Sequence, residues 1–399
     1  MWLRTLSPAG APITLKALLN GLRAEFARQQ ETVSFQTQLK TILSADTVFL
    51  VSSGKVALNL VLRSLMTVSS RREVIIPAYS SFCLASAVVS TGLAVKICDI
   101  NVNTLDYDLN QLSKLVDINT LAVIPVHLFG LVSNLDEILS ITKSKGAFLV
   151  EDAAQAIGAQ YKNMYVGTIG DAGIFSLGRG KSISTVIGGI AVVQKGKKIT
   201  EILEKKIAQL PKPSAVDKMK LLISAVAICF FLHPRLYFVP NSLPFLKLGA
   251  NEYDPDFKFL SFSNLQAGIG RIGLENLTHY NRKRIKNAYY LIQSLKRQSN
   301  VKLPKIISDS SPCFTRFPIF FKSSKLREQF FTIFSSLRLG VSKNFPCPLN
   351  KIPGFKHLIV NSNDSFPGAE WVCRRILTLP THPFVNKNDL SKIVRILTA

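Results

Sequence analysis

The chain has 399 residues, 47% of them hydrophobic, and its 49 lysines and arginines outnumber its 25 acidic residues to give a formal net charge of +24. This length exceeds one small core and predicts a large α/β unit with a smaller second unit. The charge predicts attraction to phosphates, nucleic acid or anionic lipid without choosing among them. The six cysteines contain no C-x-x-C pair, which argues against a disulfide framework or zinc site and predicts a reduced, cytosolic protein without a metal.

Short apolar runs alternate with helix-like stretches over the first half of the chain. The helix-like stretches include 56–66 and 135–144. This alternation predicts an α/β fold, with a mostly parallel open sheet flanked by helices, in a large domain over 1–206. The runs predicted as strands are 48–51, 74–76, 94–98, 121–126, 147–150, 173–176 and 189–193.

An apolar stretch at 221–232 interrupts this pattern. Its neighbours include Lys212, Lys218, Lys220 and Arg235. Twelve residues are too few to span a bilayer, so we treat 207–250 as an apolar insert with basic flanks. Two interpretations remain open, a helix buried within the fold or at a dimer interface, and a peripheral membrane contact through 219–248.

The last part of the chain predicts a smaller C-terminal α+β domain over 251–399. A helical pattern from Ser263 to about Gln298 predicts one long connecting helix, and 316–321 and 375–379 read as strands. No helix-turn-helix, zinc finger or aromatic-basic RNA motif is present, so we expect no specific nucleic-acid partner.

Three residues near the ends of predicted strands suggest pyridoxal phosphate (PLP) chemistry. Lys181 supplies an amine for a Schiff base, Asp152 an acid for the pyridine nitrogen, and Ser176 a donor for the phosphate. Gly54 and Lys55 follow a strand and open a helix, so their N–H groups are placed to bind an anion. Taken alone, these residues also suit a surface lysine, a helix cap and turns.

The ordered set of motifs resembles the DegT/StrS family of PLP-dependent sugar aminotransferases, which have the PLP-dependent transferase fold of type I. The similarity extends over most of the chain. The segments that carry it are 53–58, 77–79, 125–130, 151–155, 175–181, 188–189, 265–267 and 379–383.

The resemblance implies a role for each matching residue. Lys181 is the Schiff-base lysine, Asp152 contacts the pyridine nitrogen, and Gln155 lies beside the ring hydroxyl. Ser176, Gly54 and Lys55 hold the phosphate. The family usually has an aromatic ring over the cofactor face at the position that holds Ser81 here, so Phe82 or Tyr79 is the candidate for that role, although a core role suits either ring as well.

The resemblance also implies a reaction. An amino group passes from an amino acid, with glutamate as the expected donor, to a keto-sugar, expected to be nucleotide-linked, in surface polysaccharide or amino-sugar biosynthesis. A homodimer with its sites at the subunit interface is implied. The alternatives are a PLP-dependent sugar dehydratase, whose members typically have His where Lys181 stands, and a catalytically silent, membrane-associated homologue.

The chain departs from the family pattern just before its 265–267 motif. The family commonly has an Asn-Tyr-Arg run there, whose Asn reaches the phosphate of the partner subunit's cofactor, and this chain has Phe259, Leu260 and Ser261. The cation of Lys55 is an alternative contact for that phosphate. His127, in another family motif, is interpreted as a packing residue.

Overall fold

The structure, a computed structural model, describes residues 4–26, 31–194, 196, 198–243, 246, 248–249 and 252–398. The strands are β1 (Thr47–Val51), β2 (Glu73–Pro77), β3 (Ala94–Cys98), β4 (Thr120–Val123), β5 (Phe148–Asp152), β6 (Gln160–Tyr161), β7 (Met164–Tyr165), β8 (Ala172–Ser176), β9 (Gly189–Val193), β10 (Val301–Lys302), β11 (Ser310–Ser311), β12 (Arg316–Phe321) and β13 (Ile376–Pro380).

The described residues also form α-helices. They are α1 (Leu15–Phe26), α2 (Glu31–Leu43), α3 (Gly54–Val68), α4 (Phe82–Val89), α5 (Leu109–Leu115), α6 (Leu135–Ser144), α7 (Ile199–Ala208), α8 (Ala215–Phe231), α9 (Phe238–Asn241), α10 (Asn264–Glu275), α11 (Leu277–Leu295), α12 (Ser324–Ser336), α13 (Pro367–Arg375) and α14 (Lys387–Thr398).

All seven predicted strands of the first half lie in one sheet, in the order β1-β9-β8-β5-β4-β2-β3. The pairs from β8 to β3 are parallel, whereas β9 runs antiparallel to both β1 and β8. Every residue of β4 and β9 is buried, as expected for a sheet covered on both faces. The prediction of a mostly parallel α/β sheet is confirmed.

This topology brings three strand ends together. Because β9 reverses direction, β1, β8 and β5 point the same way, and their final residues Val51, Ser176 and Asp152 share one edge of the sheet. β9 starts at that edge with Gly189, which pairs with both Val51 and Ser176. A Cβ on Gly189 would lie 2.1 Å from the Ser53 carbonyl oxygen, so only glycine fits there.

The C-terminal part contains an antiparallel sheet in the order β10-β12-β13. The prediction of one long helix from Ser263 to Gln298 was wrong, because α10 ends and α11 begins around Asn276. The Asn276 side-chain amide donates to the Ile272 carbonyl at 2.7 Å, and such local bonds compete with the helical ladder. The division into units 1–206, 207–250 and 251–399 stays a prediction.

The insert forms a helix, α8, that is longer than the predicted stretch. Ala225 is its only fully buried residue, so the interpretation as a helix buried within the fold was wrong. Its inner face, including Leu221 and Ile228, packs on residues of α1 and α10 such as Leu18 and Leu265. Within the described ranges, no helix is both long and apolar enough to cross a membrane.

Candidate active site

A cavity of about 890 Å³ opens at the edge where β1, β8 and β5 end. Six of the seven residues predicted to bind the cofactor line it. These are Gly54, Lys55, Asp152, Gln155, Ser176 and Lys181. Their convergence follows from the topology, because parallel strands that end at one edge deliver their next residues to the same crevice.

Lys181 lies in the loop between β8 and β9. This loop is closed by backbone bonds from Leu177 to Gly188 at 2.8 Å and from Thr185 to Leu177 at 2.9 Å. The Lys181 ammonium has no hydrogen bond or ion pair with any described residue. Burial lowers the pKa of Lys181 below its ordinary value of 10.5, and the nearby Arg316 cation lowers it further. Asp152 and Cys83 act in the opposite direction and raise the pKa. A larger fraction of the amine is therefore neutral and nucleophilic at a given pH.

Asp152 is the last residue of β5 and is 8% exposed. Its Oδ1 accepts the Ala154 N–H at 3.0 Å, and no described group donates to its Oδ2. Burial raises the pKa of Asp152, while the Ala154 N–H and the charges of Lys181 and His127 oppose this shift. A carboxylate in such a place is suited to a cationic N–H inside the cavity.

The phosphate end of the predicted site is formed by the start of α3 and the end of β8. A Cβ on Gly54 would lie 3.1 Å from the Ser176 Cβ, so the two segments approach closely. The Ser53 side chain accepts the Val56 N–H at 3.2 Å and caps α3. The positive end of α3 therefore faces the cavity.

Lys55 lines the cavity, but its ammonium already has partners. It forms a 2.7 Å ion pair with Asp254 and lies 4.6 Å from the centre of the Phe257 ring. Its side chain is therefore engaged with the segment after the insert, and only its backbone N–H is positioned at the start of α3. The prediction that the Lys55 cation contacts the phosphate stays a prediction.

The structure does not bring Phe82 into the cavity. Ser81 caps α4 by accepting the Cys83 N–H, and Phe82 then belongs to the hydrophobic core. The alternative ring, Tyr79, is fully buried; its hydroxyl donates to the Asn344 carbonyl and accepts the Phe345 N–H. Neither ring lines the cavity, whereas Cys83 does. The motif did not show that α4 begins at Phe82.

Gln155 follows the Asp152 turn and lines the cavity. Its side-chain oxygen accepts the Phe129 N–H at 3.2 Å, which fixes its orientation. His127 is fully buried: its Nδ1 accepts the Ser133 N–H, so its Nε2 donates to Glu151 at 3.1 Å. Both ring nitrogens have partners, which agrees with a packing role.

Sequence reasoning missed two contributions to the site. Arg284 on α11 is fully buried and donates to the carbonyls of Gly10, Ser182 and, at 3.4 Å, Lys181, so it fixes the loop that carries the lysine. Its position within an amphipathic helix gave no signal of this role. The second contribution is α8, whose Lys220 and Ser224 line the cavity.

The segment that departs from the family pattern packs against β1 of its own chain. Ser52 and Leu260 exchange two hydrogen bonds, in which each backbone N–H donates to an oxygen of the other residue. Leu260 and Ser261 both line the cavity. They therefore contribute apolar surface and one hydroxyl to the site.

Comparisons with known proteins agree on one family. A family model described as the DegT/DnrJ/EryC1/StrS aminotransferase family matches residues 15–234 and 244–398. The GDP-perosamine synthase of Caulobacter vibrioides is 26% identical over 350 residues, or 87% of this chain and 83% of that protein. The GDP-4-keto-6-deoxy-D-mannose 3-dehydratase of Escherichia coli O55:H7 is 32% identical over 194 residues, or 47% of this chain and 50% of that protein.

Solved structures share the fold. The sugar aminotransferase CalS13 of Micromonospora echinospora matches with a TM-score of 0.80 at 18% identity, covering 98% of this chain and 99% of that one.

Proposed function

Because the chain belongs to the DegT/DnrJ/EryC1/StrS aminotransferase family, we propose that it moves an amino group from an amino acid, with glutamate as the expected donor, to a nucleotide-linked keto-sugar. One observation carries the proposal. Lys181, an unpartnered amine of lowered pKa, lines the same cavity as Asp152, a buried carboxylate with one oxygen free. Related proteins that act on sugar nucleotides support the acceptor class.

PLP is the cofactor of this family, and the residues of the cavity fit it. The free Oδ2 of Asp152 is placed for a protonated pyridine nitrogen. The close approach of Gly54 to Ser176, at the N-terminus of α3, leaves backbone N–H groups for a phosphate. Gln155, already oriented by Phe129, is our candidate for the ring hydroxyl.

We assign the chemical steps of this chain's own residues as follows. Bound PLP supplies an electrophilic carbon and an electron sink. With the cofactor bound, Lys181 would hold it through its neutral Nζ, would give up that place to the donor amine, and would then take the proton from the donor's α-carbon and deliver it to the cofactor. Asp152 keeps the proton on the pyridine nitrogen throughout, which maintains the electron sink.

The cavity also offers cations for an acceptor diphosphate. Arg179 and Lys220 line it and have no ion pair with any described residue. An unpaired cation attracts a phosphate more strongly than one already neutralised by a carboxylate. We therefore assign the diphosphate of the acceptor to this side of the cavity.

The test combines donor and acceptor in one assay. Purified protein with PLP and glutamate is incubated with GDP-, dTDP- and UDP-linked keto-sugars, and products are identified by mass. We expect an amino-sugar from wild type, none from Lys181→Ala, and unchanged turnover from Lys145→Ala, an exposed lysine after α6. A deoxygenated product without nitrogen would identify a dehydratase instead. No product with any acceptor, together with no cofactor absorption band, would identify a catalytically silent homologue.

We also propose a cytoplasmic homodimer, as the resemblance implies. Six free cysteines suit a reducing compartment. Light scattering is expected to give twice the chain mass, and a chain that stays monomeric at micromolar concentration would contradict this.

For α8 we propose a peripheral contact with an anionic lipid surface. We define its outer face as Val216, Met219, Ile223, Val226 and Phe230, which are 39–62% exposed. Phe231, at the end of α8, and Leu236 and Phe238 beyond it continue the exposed apolar surface. Lys205, Lys212 and Arg235 are exposed beside it in the chain. These cations favour an anionic bilayer and disfavour a second copy with the same charges.

Co-sedimentation with phosphatidylglycerol vesicles tests this contact. We expect wild type to bind at low salt, Ile223→Asp to lose binding, and Ile118→Asp, at an exposed position away from α8, to keep it. Equal sedimentation of wild type and Ile223→Asp would refute the contact. If Ile223→Asp instead converts dimers to monomers, the outer face of α8 binds a second copy of the chain.

A further inference from the structure

Arg316 differs from Arg179 and Lys220, the exposed cations of the cavity, because one nitrogen of its guanidinium is buried without a partner among the described residues. It is the first residue of β12, where its backbone pairs with Pro380. Its Nη1 is buried and has no hydrogen bond, and its guanidinium forms no ion pair with any described carboxylate. A guanidinium is costly to bury without an acceptor. A buried guanidinium nitrogen without an acceptor is therefore suited to a ligand that brings the acceptor with it.

The position of Arg316 relates it to Lys181. Its Nη2 lies 3.9 Å from the place that a Cβ on Gly180 would occupy, so the guanidinium borders the loop that carries the lysine. The neighbouring titratable groups are the hydroxyls of Tyr79 and Tyr237, which are neutral at physiological pH, and the side chains of Lys181 and His382, so none of them supplies a negative charge. Burial lowers the pKa of Arg316 to about 10, so it stays charged at neutral pH.

Several lysines around the cavity are already neutralised. Lys55 pairs with Asp254 at 2.7 Å, Lys258 with Asp217 at 3.4 Å, and Lys218 with Glu25 at 2.5 Å. Arg316 is also better suited than a lysine to a carboxylate, because its planar fork donates two parallel hydrogen bonds. Arg316 is thus a cation suited to bidentate binding that lies beside the Lys181 loop without a carboxylate partner among the described residues.

We propose that Arg316 binds the α-carboxylate of the amino donor. In an α-amino acid, the carboxylate is attached to the same carbon as the reacting amine, so its receptor must lie close to Lys181. In a nucleotide-linked sugar, ring atoms separate the diphosphate from the keto carbon, which places the phosphates farther away. Arg316 would therefore orient the donor in the first half of the reaction and remain unused in the second. This inference rests on the aminotransferase function proposed above.

The test separates the two halves of the reaction. Donor consumption is followed by mixing the PLP-loaded enzyme with glutamate and recording the loss of the visible cofactor band. Acceptor consumption is followed with pyridoxamine phosphate-loaded enzyme and whichever keto-sugar nucleotide the wild type accepts. The variants are Arg316→Gln, Arg316→Lys, and, as a control for lost charge, Lys322→Gln, an exposed residue just after β12.

We expect Arg316→Gln to raise the glutamate concentration for half-maximal rate at least tenfold and to change the acceptor half-reaction less than twofold. Arg316→Lys, which keeps the charge but not the fork, is expected to recover part of the loss, and Lys322→Gln to match wild type. Glutarate, which has the carboxylates but no amine, is expected to raise the Tm of wild-type holoenzyme and not that of Arg316→Gln.

Three results would overturn the assignment. An unchanged donor half-reaction with a weakened acceptor half-reaction would assign Arg316 to the phosphates. Equal losses of rate in both half-reactions would assign Arg316 a structural role. If Arg316→Gln does not fold, the same comparison is made on Arg316→Lys. If the wild-type enzyme consumes keto-sugar but no amino acid, the aminotransferase function itself is refuted. If the wild type is active in both half-reactions, a negative result with the Arg316 variants refutes only the role assigned to Arg316.

Discussion

Replacing Arg284 by Met tests whether a buried anchor holds the catalytic loop in place. The guanidinium donates to the Gly10 carbonyl at 3.0 Å and the Ser182 carbonyl at 3.1 Å. Two carbonyls left without a donor cost about 2–6 kcal/mol together. The same change relieves a burial cost, because burial lowers the pKa of Arg284 from 12.5 to about 10. At about 1.4 kcal/mol for each factor of ten, that cost is about 3 kcal/mol.

The two effects nearly offset, so we expect only a small change in global stability. An unfolding entropy of about 2.1 cal/mol/K per residue converts a net loss of ~2 kcal/mol into a Tm decrease of about 2–3 °C, if the chain unfolds as one unit. The loop carrying Lys181 nevertheless loses its anchor. Because a displacement of about 1 Å in a reacting group can cost 100-fold in rate, we expect kcat to fall by about 10- to 100-fold.

Thermal melts and steady-state kinetics on the same preparations make the comparison. Arg284→Lys keeps the charge and reaches fewer carbonyls, so it should fall between wild type and Arg284→Met. Arg282→Met, an exposed arginine on the same helix, should leave both quantities unchanged. If Arg284→Met loses more than about 8 °C in Tm while kcat per folded molecule stays at the wild-type value, the residue stabilises the fold without positioning Lys181.

Three further outcomes follow from the site and the sheet. Asp152→Asn should lower kcat by about 10- to 100-fold with little change in Tm, because a charge-assisted hydrogen bond worth about 1.5–3 kcal/mol is lost; steady-state assays with wild-type rates would remove Asp152 from the mechanism. The rate of PLP attachment to cofactor-free enzyme should rise with pH and level off above the pKa of Lys181, which lies below 10.5, and stopped-flow absorbance showing a midpoint at or above 10.5 would contradict the buried amine. Gly189→Ala should lower the free energy of unfolding by more than the about 1–3 kcal/mol that is usual for overpacking, because its Cβ would lie 2.1 Å from the Ser53 carbonyl oxygen. The control Gly273→Ala, whose Cβ would have no neighbour closer than 3.5 Å, should be neutral or stabilising. Thermal melts that give equal Tm values for the two variants would refute the close approach at Gly189.

The sequence predicted the strands well because they are buried on both faces. Near-continuous apolar runs such as β9 and β4 have no competing pattern, and the helix predicted at 135–144 coincides with α6. The break between α10 and α11 was not predictable from periodicity, because it occupies one residue, Asn276, whose side chain donates to the Ile272 carbonyl. Local hydrogen bonding overrode a helical pattern there.

The site was predictable where backbone placement decides it, and less so where side-chain partners do. Asp152 and Ser176 are the last residues of their strands, so the topology alone brings them together. Phe82 depended on how Ser81 caps α4, and the state of Lys55 depended on Asp254, about 200 positions away. The unpaired charge of Arg316 could not be recognised before every nearby carboxylate had been located.

The reversal of β9 has a consequence for the position of Lys181. A crossover helix would join β8 to a parallel strand through a long connection, and the residues after β8 would then be fixed at one end only. Here the segment leaves β8 and re-enters at the adjacent β9, so both of its ends are clamped within one strand spacing of about 5 Å. Lys181 therefore lies in a loop whose two ends are fixed to adjacent strands, and between those ends its position depends on contacts made by the loop itself, such as the hydrogen bond from Arg284 to the Ser182 carbonyl.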